Sequence, residues 1–477
     1  MKAIGSVLAL ISVLIVCLVF FFVWSGTERV GYERIPMDGD PVVAQVDKEL
    51  HSSMDSDPAA EATTIKTTRK AKDSQSGADS SRGNSFVVWI NVSGFRGDYL
   101  DQTETPFLDS LAKQGSYTAE LKPPFPSLIY PSLMCQATGR TVREHGIVSD
   151  KMRDPATGQV ISNPTALALL KAEPIWTTAK RQGVGVLVHH WPFSQQQPAE
   201  NAADIFIPEV DVKSGAEDRL KALLDAWTAY KKEPKIRLAM LSLNDLEVAA
   251  RAHGTRAKET YDAVEKLDKT LAAFRDRLRE KWPTLRGSEG DKLHIFITTD
   301  RGMVDVKKAI NFGALMGELA QQVDFAACDN MAQLWFKKGA AGSDPKQVEE
   351  TLDGELRSRI YWRTYTREEI PETWKLDKSP LIGDRILMLK SGYTFADTTG
   401  AEPVFDPNET GGPICTSGYM VSDQPRMAGQ AFFSTLDGQN ANYNLGPVDG
   451  TQLYPTVCDI LGITPASGVR ATSMRIP

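Results

Sequence analysis

The stretch FVVWINVSGFR, residues 86–96, decides the fold, because a run of large apolar residues stops at a cluster of small and polar ones. Such a run of valine, isoleucine and aromatic residues is typical of a buried β-strand, which the sequence predicts to end at Asn91. Three further runs of this type follow along the chain. They are VGVLVHHW at 184–191, RLAMLSL at 237–243 and LHIFITT at 293–299.

Helical segments separate these strands. The segments TPFLDSLAKQG at 105–115 and EPIWTTAKRQG at 173–183 both end in glycine, which is a typical helix stop. The spacing also predicts a long helix with an exposed face over 255–281 and a closing helix within QLYPTVCDILGI at 452–463. Strands that alternate with helices predict an α/β fold with a mostly parallel central sheet sandwiched between helices.

The carboxyl ends of the predicted strands are where a ligand would bind in such a sheet. These ends are residues 91–93, 242–247 and 298–301. Because parallel strands carry their carboxyl ends on one edge of the sheet, we expect the three segments to converge in space.

The N-terminal residues 7–24, VLALISVLIVCLVFFFVW, form an uncharged apolar run. At about 1.5 Å per residue, a helix of this length reaches ~27 Å, close to the hydrocarbon thickness of a bilayer. A cleaved signal peptide is the alternative, although no small-x-small cleavage site follows closely and the run is long for a signal sequence. We therefore expect residues 1–24 to be a single-pass membrane anchor, with the body on the extracytoplasmic side.

Residues 25–84 are predicted to be a disordered tether, since 52–82 are rich in Ser, Asp, Lys, Ala and Thr and nearly lack aromatic residues. Residues 85–477 then form the folded domain. The formal net charge is -7, and no strongly basic block stands out in that domain. Nucleic acid is therefore not an expected partner, because phosphate binding requires clustered Lys and Arg.

The five cysteines do not indicate a zinc site. Cys17 lies inside the apolar N-terminal run, and no C-x-x-C pair occurs. The remaining four are Cys135, Cys328, Cys415 and Cys458. One or two disulfides among them remain possible.

Short motifs follow one another in a specific order from the first strand onwards. They are NVSGFR at 91–96, TPFLDSLAKQG at 105–115, KPPFPSLIYPSL at 122–133, TG at 138–139, HGI at 145–147, AEPIW at 172–176, WPFS at 191–194 and DRGM at 300–303. In this order and spacing the chain resembles the nucleotide pyrophosphatase/phosphodiesterase family of the alkaline phosphatase superfamily. The resemblance covers residues 86–467 and implies an alkaline phosphatase-like domain.

Active members of that family hydrolyse phosphodiester or pyrophosphate bonds with two zinc ions and a threonine nucleophile. The resemblance places the nucleophile on Ile129, whose side chain has no heteroatom, so no catalytic residue is expected. It places the zinc-ligand positions on Ser93, Glu247, Arg251, Asp300, Arg301 and Ser417. Because arginine stays protonated and cannot ligate a cation, the chain resembles a degenerate member for which no cofactor is expected.

Two of these positions carry a carboxylate, and two carry arginine where the resemblance places an imidazole. Without a metal ion, the charges of Asp300 and Glu247 need partners at a buried strand end. Arg301 and Arg251 can supply them. We therefore expect an arginine–carboxylate network at the site where the family holds its metal ions.

The ligand pocket also departs from the family pattern. Tyr130 aligns with the aromatic residue that contacts the nucleotide base, and Asp150 aligns with an asparagine that contacts the phosphate. An acid at position 150 would repel a phosphate group. The candidate pocket residues are Tyr130, Asp150, Arg251 and Arg301.

Other residues could resemble catalytic groups but have simpler interpretations. His145 precedes a glycine in a loop, where a structural role is expected. His189 and His190 follow a strand, and neighbouring strand residues point to opposite faces, which disfavours a shared metal. Ser127 and Ser132 flank position 129, but an activated serine needs a nearby base or metal, and none is evident.

The leading hypothesis is a non-catalytic binding or scaffold domain that is tethered to the membrane through residues 7–24. Its partner would be a protein or a phosphate-containing ligand. The alternative is a hydrolase with a reorganised site, in which Asp300, Glu247 and His253 hold zinc. A third hypothesis is an anion-binding module, in which Arg251 and Arg301 hold a phosphate or sulfate group.

Overall fold

The folded region that we describe comes from a computed structural model of the chain. The described residues are 83–154, 157–162, 169–195, 197–208, 214–337, 345–376, 379, 381–396, 402–410, 412–439 and 441–476. The predicted anchor, residues 1–24, and nearly all of the predicted tether, residues 25–84, lie outside them and stay predictions. In the part of the chain that is described, no helix is both long enough and apolar enough to cross a membrane.

Strands and helices alternate through the first two thirds of the described chain. The strands are β1 (Ser85–Val92), β2 (Ser116–Lys122), β3 (Lys151–Arg153), β4 (Val160–Ser162), β5 (Gly185–His189), β6 (Ile205–Ile207), β7 (Ile236–Leu243), β8 (Lys292–Thr298), β9 (Val304–Asp305), β10 (Lys308–Ile310), β11 (Val323–Cys328), β12 (Met331–Phe336), β13 (Trp362–Tyr365), β14 (Arg385–Leu389), β15 (Tyr393–Phe395), β16 (Val404–Phe405), β17 (Cys415–Thr416), β18 (Gly429–Thr435), β19 (Tyr443–Asn444) and β20 (Val448–Asp449). The helices are α1 (Pro106–Gln114), α2 (Ile129–Thr138), α3 (Val142–His145), α4 (Ile175–Arg181), α5 (Ala216–Ala229), α6 (Asp245–His253), α7 (Lys258–Leu285), α8 (Phe312–Met316), α9 (Pro345–Ser358), α10 (Pro407–Thr410) and α11 (Leu453–Leu461).

The central sheet has the strand order β19-β2-β18-β8-β1-β7-β5-β6, and β20 pairs with β2. Strand β1 lies in its middle and pairs in parallel with β7 and β8. Strand β5 extends the parallel block by pairing with β7 and β6. Strand β18 is antiparallel to both β8 and β2. The predicted mostly parallel sheet is confirmed.

Helices cover both faces of this sheet, which explains why β1 is apolar along almost its whole length. Val87 and Trp89 pack against α2, α4 and α11 on one face. Val88 and Ile90 pack against α1, α5 and α7 on the other. Burying Ile90 alone stabilises the fold by about 1.5–3 kcal/mol. The helices therefore sandwich the sheet, as the sequence predicts.

The bounds of two helices depend on local contacts. The long helix α7 begins at Lys258 rather than at the predicted residue 255, because the backbone at Ala257 is extended, with φ −73° and ψ 152°. Just before it, the backbone N–H of Thr255 donates to Oδ1 of Asp305 at 2.6 Å. The closing helix α11 ends at Leu461, and Gly462 after it adopts the left-handed φ of 71° that glycine favours at a helix C-terminus.

After residue 300 the alternation of predicted strands and helices is weaker, and this part of the chain forms a second sheet. Its order is β11-β12-β14-β13, and all its pairs are antiparallel. Leu352 and Leu356 of α9 pack on it in a separate core with Leu334, Leu387 and Trp362. The turn between β11 and β12 carries Asp329 toward the central sheet. This sheet matters for the site because it supplies one of the charged groups described below.

The four cysteines within the described residues are free thiols. Cys135, Cys415 and Cys458 are buried, and Cys328 is half-buried. The disulfides that the sequence leaves open are therefore not formed among them.

Candidate functional site

The three strand-end segments meet at the carboxyl edge of the central sheet. The hydroxyl of Ser93, just after β1, donates to Oδ2 of Asp300, just after β8, at 2.6 Å. The backbone N–H of Gly94 donates to Oδ1 of the same carboxylate at 3.2 Å. Glu247 lies in the first turn of α6, which follows β7 directly. The predicted convergence is confirmed.

The guanidinium group of Arg301 lies between the two carboxylates. Its Nη1 donates to Oδ2 of Asp300 at 2.7 Å, and its Nη2 donates to Oε1 of Glu247 at 2.8 Å. Its Nε donates to the hydroxyl of Ser417 at 3.0 Å. Only 1% of this side chain is exposed, so all three nitrogens find their partners inside the protein.

A second guanidinium group extends the cluster. The Nε of Arg251 donates to Oε1 of Glu247 at 2.8 Å, one helical turn away on α6. Its Nη1 and Nη2 each donate to one oxygen of Asp329 at 3.0 Å, a bidentate arrangement. We call the cluster of Asp300, Arg301, Glu247, Arg251 and Asp329 the central network. The arginine–carboxylate network that the sequence predicts is confirmed, with one further member.

Asp329 is the member that the sequence does not indicate. It occupies the turn between β11 and β12 with a left-handed φ of 54°. Its carboxylate also accepts hydrogen bonds from the backbone N–H of Ser417, at 3.0 Å, and from the Ser417 hydroxyl. Asp329 and Asn330 are two polar residues between apolar runs, a pattern that predicts a hairpin turn. The pattern does not show which part of the protein the turn contacts.

The pKa of each carboxyl group reflects a balance between burial and the neighbouring arginines. Burial raises the pKa of Asp329, but Arg251 and Arg301 outweigh burial and lower that pKa to about 2. Burial also raises the pKa of Glu247, and the same two arginines bring it below its ordinary value. At Asp300 burial prevails over Arg301, and the pKa is raised. Burial lowers the pKa of Arg301, but Asp300 and Glu247 outweigh burial and raise that pKa above its ordinary value. Arg301 is therefore a fixed cation.

The start of α2 adjoins the central network. The backbone N–H groups of Ile129 and Tyr130, which are half-buried, donate to Oδ2 of Asp150 at 3.2 Å and to its Oδ1 at 2.7 Å. The thiol of Cys328, the neighbour of Asp329, lies 3.7 Å from Oδ2. Burial raises the pKa of Asp150 to about 6, against the hydrogen bond from Tyr130.

The donor set of this site does not fit a pair of zinc ions. Both oxygens of Asp300 and both oxygens of Asp329 already accept hydrogen bonds. Oε1 of Glu247 is shared by two guanidinium groups, which cannot give up their protons. Within the described residues, no group of three or more His, Cys, Asp or Glu side chains is arranged to hold a metal ion.

Histidine and serine near the site have structural contacts. His145 is fully buried, its Nε2 lies 3.3 Å from Sγ of Cys135, and burial lowers its pKa to about 3. His253 is exposed at the last residue of α6. The hydroxyl of Ser127 donates to the carbonyl of residue 419 at 2.8 Å and accepts from the N–H of residue 418 at 3.1 Å.

The fold and site define an α/β protein with a polar cluster at the carboxyl edge of a mostly parallel sheet. Residues 87–419 match the family model for type I phosphodiesterase / nucleotide pyrophosphatase. This match spans more than half of the chain. The chain therefore belongs to the type I phosphodiesterase / nucleotide pyrophosphatase family.

Curated relatives agree with this assignment. Ectonucleotide pyrophosphatase/phosphodiesterase family member 7 of Rattus norvegicus is 21% identical over 389 residues, which cover 80% of this chain and 84% of that protein. An uncharacterized pyrophosphatase/phosphodiesterase of Schizosaccharomyces pombe is 24% identical over 80% of this chain and 77% of its own length.

Solved structures agree on the fold. Murine ectonucleotide pyrophosphatase/phosphodiesterase 5 superposes with a TM-score of 0.67 at 19% sequence identity, covering 80% of this chain and 96% of that chain. An inactive variant of the murine protein, in complex with AMP, gives the same TM-score at 20% identity and the same coverage. The fold is alkaline phosphatase-like, as the sequence predicts.

Proposed function

We propose that this protein is a membrane-anchored, non-catalytic binding or scaffold domain of the phosphodiesterase family. The observation that carries the proposal is the guanidinium group of Arg301 between Asp300 and Glu247. A two-metal hydrolase needs cations there that clamp the attacking and leaving oxygens. A buried arginine supplies positive charge, but it offers no open coordination position and cannot activate a nucleophile as a metal does.

The position of the expected nucleophile supports the same proposal. Ile129 begins α2 beside the central network, and its side chain carries no group that could attack phosphorus. The nearby hydroxyl of Ser127 is engaged with the backbone of residues 418–419. A nucleophilic hydroxyl is activated by a base or a metal within hydrogen-bond reach. The hydrocarbon side chain of residue 129 supplies neither a hydroxyl nor a base.

The central network also argues against an anion held by its arginines. All three nitrogen groups of Arg301 donate to protein atoms, and both terminal nitrogens of Arg251 donate to Asp329. An incoming phosphate would have to compete with buried carboxylates that carry the same charge. A protein partner on the outer surface therefore fits the proposal better than a phosphate-containing ligand in the centre.

The proposed test measures metal content and hydrolysis together. The full chain, purified in mild detergent, is analysed for bound metal and assayed with bis(p-nitrophenyl) phosphate, with and without added Zn²⁺. We expect substoichiometric zinc and no hydrolysis above the rate without protein. The control variant is Asp276→Ala, which alters an exposed acid on α7 far from the strand ends.

One result would establish the alternative, a hydrolase with a reorganised metal site. It is a tightly bound ion in each chain together with hydrolysis that Asp300→Ala abolishes and Asp276→Ala leaves intact.

The membrane assignment has its own test. The full chain should stay in the membrane fraction after alkaline carbonate extraction, and a variant that lacks residues 1–24 should be released. Protease added from the extracytoplasmic side should digest the body, and protease added from the cytoplasmic side should not.

A further inference from the structure

Two segments of the sequence match the acceptor pattern for N-linked glycosylation, which is Asn-x-Ser/Thr with a residue other than proline in the middle. They are Asn91-Val92-Ser93 and Asn408-Glu409-Thr410. The pattern alone does not distinguish the two segments, but the fold places them in opposite surroundings.

The first segment lies in the interior of the protein. Asn91 is a residue of β1, which pairs with β7 on one side and with β8 on the other, and it is 0% exposed. Its Nδ2 donates to the hydroxyl of Ser242 at 3.1 Å. Because protein interiors are close-packed, a sugar on Nδ2 would need space that other side chains occupy. The folded protein therefore has no room for a glycan at Asn91.

The second segment lies at the surface. Asn408 belongs to α10, a single helical turn that follows β16, the last strand in the sheet order β15-β10-β16. Asn408 is half-buried, and Glu409 and Thr410 after it are exposed. Residues 402–403, just before β16, are exposed as well. A glycan on this turn can extend into solvent without displacing the core.

The hydrogen bonds of α10 are compatible with modification of Asn408. Its backbone N–H and its Nδ2 donate to Oδ1 of Asp406 at 3.0 Å and 2.6 Å. The hydroxyl of Thr410 donates to the carbonyl of Asp406 at 3.2 Å. The side-chain amide of asparagine carries two hydrogens, and a glycan replaces only one of them. The contact between Asn408 and Asp406 can therefore persist in a glycosylated protein.

We propose that Asn408 is an acceptor of an N-linked glycan and that Asn91 carries none in the folded protein. This proposal rests on the extracytoplasmic position of the body proposed above, because the glycan is added on that side of the membrane. The donor is a lipid-linked oligosaccharide. Nδ2 of Asn408 forms a bond to C1 of the first sugar and loses one proton to solvent, while the bond from C1 to the lipid pyrophosphate breaks and the pyrophosphate leaves.

The experiment locates the glycan on the full chain. The chain is expressed in mammalian cells, purified in mild detergent and treated with peptide-N-glycosidase in heavy-oxygen water, which converts each glycosylated asparagine into a labelled aspartate. We expect one shift in electrophoretic mobility on glycan removal, and a label at residue 408 but not at residue 91. A label at residue 91 of the folded protein, or none at residue 408, would overturn the proposal.

Two substitutions of Thr410 test the acceptor pattern rather than the fold. Thr410→Ala removes the hydroxyl that the pattern requires and should abolish the mobility shift. Thr410→Ser keeps a hydroxyl and should retain the shift. A shift that survives in Thr410→Ala would mean that the glycan is attached elsewhere, and the proposal would be wrong.

A reporter variant separates this proposal from the proposed membrane orientation. Asp101 is exposed in the short helical turn Leu100–Gln102, and Asp101→Asn creates the acceptor pattern with Gln102 and Thr103 through a nearly isosteric change. We expect this variant to lose two glycans on treatment.

The reporter also shows which proposal has failed if Asn408 is not modified. A label at position 101 alone would overturn the proposal for Asn408 and support the extracytoplasmic position. The absence of any label in both chains would contradict the extracytoplasmic position, and the glycan proposal with it. Zinc content and hydrolysis of the wild type test the non-catalytic function separately.

Discussion

Two arginine–carboxylate networks among the described residues use the same chemical groups in different surroundings. The central network lies at the strand ends, where Arg301 is 1% exposed and donates to two carboxylates. The surface network consists of Arg357, Asp353 and Glu369, where Arg357 is 42% exposed and also donates to two carboxylates at 2.8 Å. Distances alone therefore do not distinguish the two networks.

Burial is what separates their contributions. At the surface, water and salt screen the ion pairs, and each is worth about 0–1 kcal/mol. Inside the protein, the charges have lost their hydration and depend on one another, so removal of one partner leaves an uncompensated charge. Substitution of a single member of the central network should therefore destabilise the fold strongly, because it leaves a buried charge without its partner. The intact network itself need not be strongly stabilising.

The largest effect is expected for Arg301→Met. This change leaves Asp300 and Glu247 facing each other without the cation between them, and the free energy of unfolding should fall by about 3–5 kcal/mol. Denaturant unfolding of the full chain followed by tryptophan fluorescence measures it. Arg301→Lys keeps a charge but loses the forked geometry and should fall between wild type and Met. A loss no greater than that of a surface arginine would refute the distinction.

A smaller effect is expected for Asp329→Asn, which breaks the bidentate contact with Arg251 and removes the link between the second sheet and the strand ends. Because the Arg251 side chain is 30% exposed, water can reach part of it, and we expect a loss of about 2–3 kcal/mol at pH 7. Urea denaturation provides the value. Asp324→Asn, on the same sheet but paired at its surface, serves as the control and should change stability little.

The pH dependence of stability tests the buried acid beside the network. The pKa of Asp150 is raised from 3.8 to about 6, so the folded protein holds this proton more tightly than the unfolded chain does. The corresponding stability is fully present below pH 3.8 and is lost as pH rises through 6. The difference in unfolding free energy between wild type and Asp150→Asn should therefore shift by about 2 kcal/mol in favour of wild type from pH 7 to pH 4. A flat difference would contradict the assignment.

The smallest effect is expected for Arg357→Met in the surface network. Loss of both ion pairs should lower the free energy of unfolding by about 0–1 kcal/mol, and the loss should shrink further in 1 M salt. Thermal unfolding at low and high salt measures this. Under the same conditions the cost of Arg301→Met should be nearly independent of salt, because the ions cannot enter its site.

Much of the central sheet could be predicted from the sequence because its strands are buried on both faces. The mainly apolar runs of β1, β7 and β8 identify them as strands, and parallel pairing then brings Ser93, Glu247 and Asp300 to one edge of the sheet. Arg301 lies in one of the predicted strand-end segments, and Arg251 lies one helical turn beyond Glu247 on α6. The charged network could be predicted because the family resemblance places both arginines at former zinc-ligand positions.

The rest of the site depends on contacts between distant segments. Asp329 reaches Arg251 from 78 residues away through the hairpin of an antiparallel sheet, and β11, which leads into that hairpin, has only half of its residues buried. Asp150 was identified as a pocket residue, but its role as the cap of α2 follows only from the path of the chain between them. Such pairings are set by tertiary packing, and local composition does not record them.

The central claim is that a buried guanidinium takes the place of metal ions between the strand ends. Anomalous X-ray diffraction at the zinc absorption edge, from crystals of the protein soaked in zinc, tests it most directly. The account predicts electron density for the Arg301 side chain between Asp300 and Glu247 and no anomalous peak within the central network. One or two strong anomalous peaks at that position, with the arginine displaced, would contradict it.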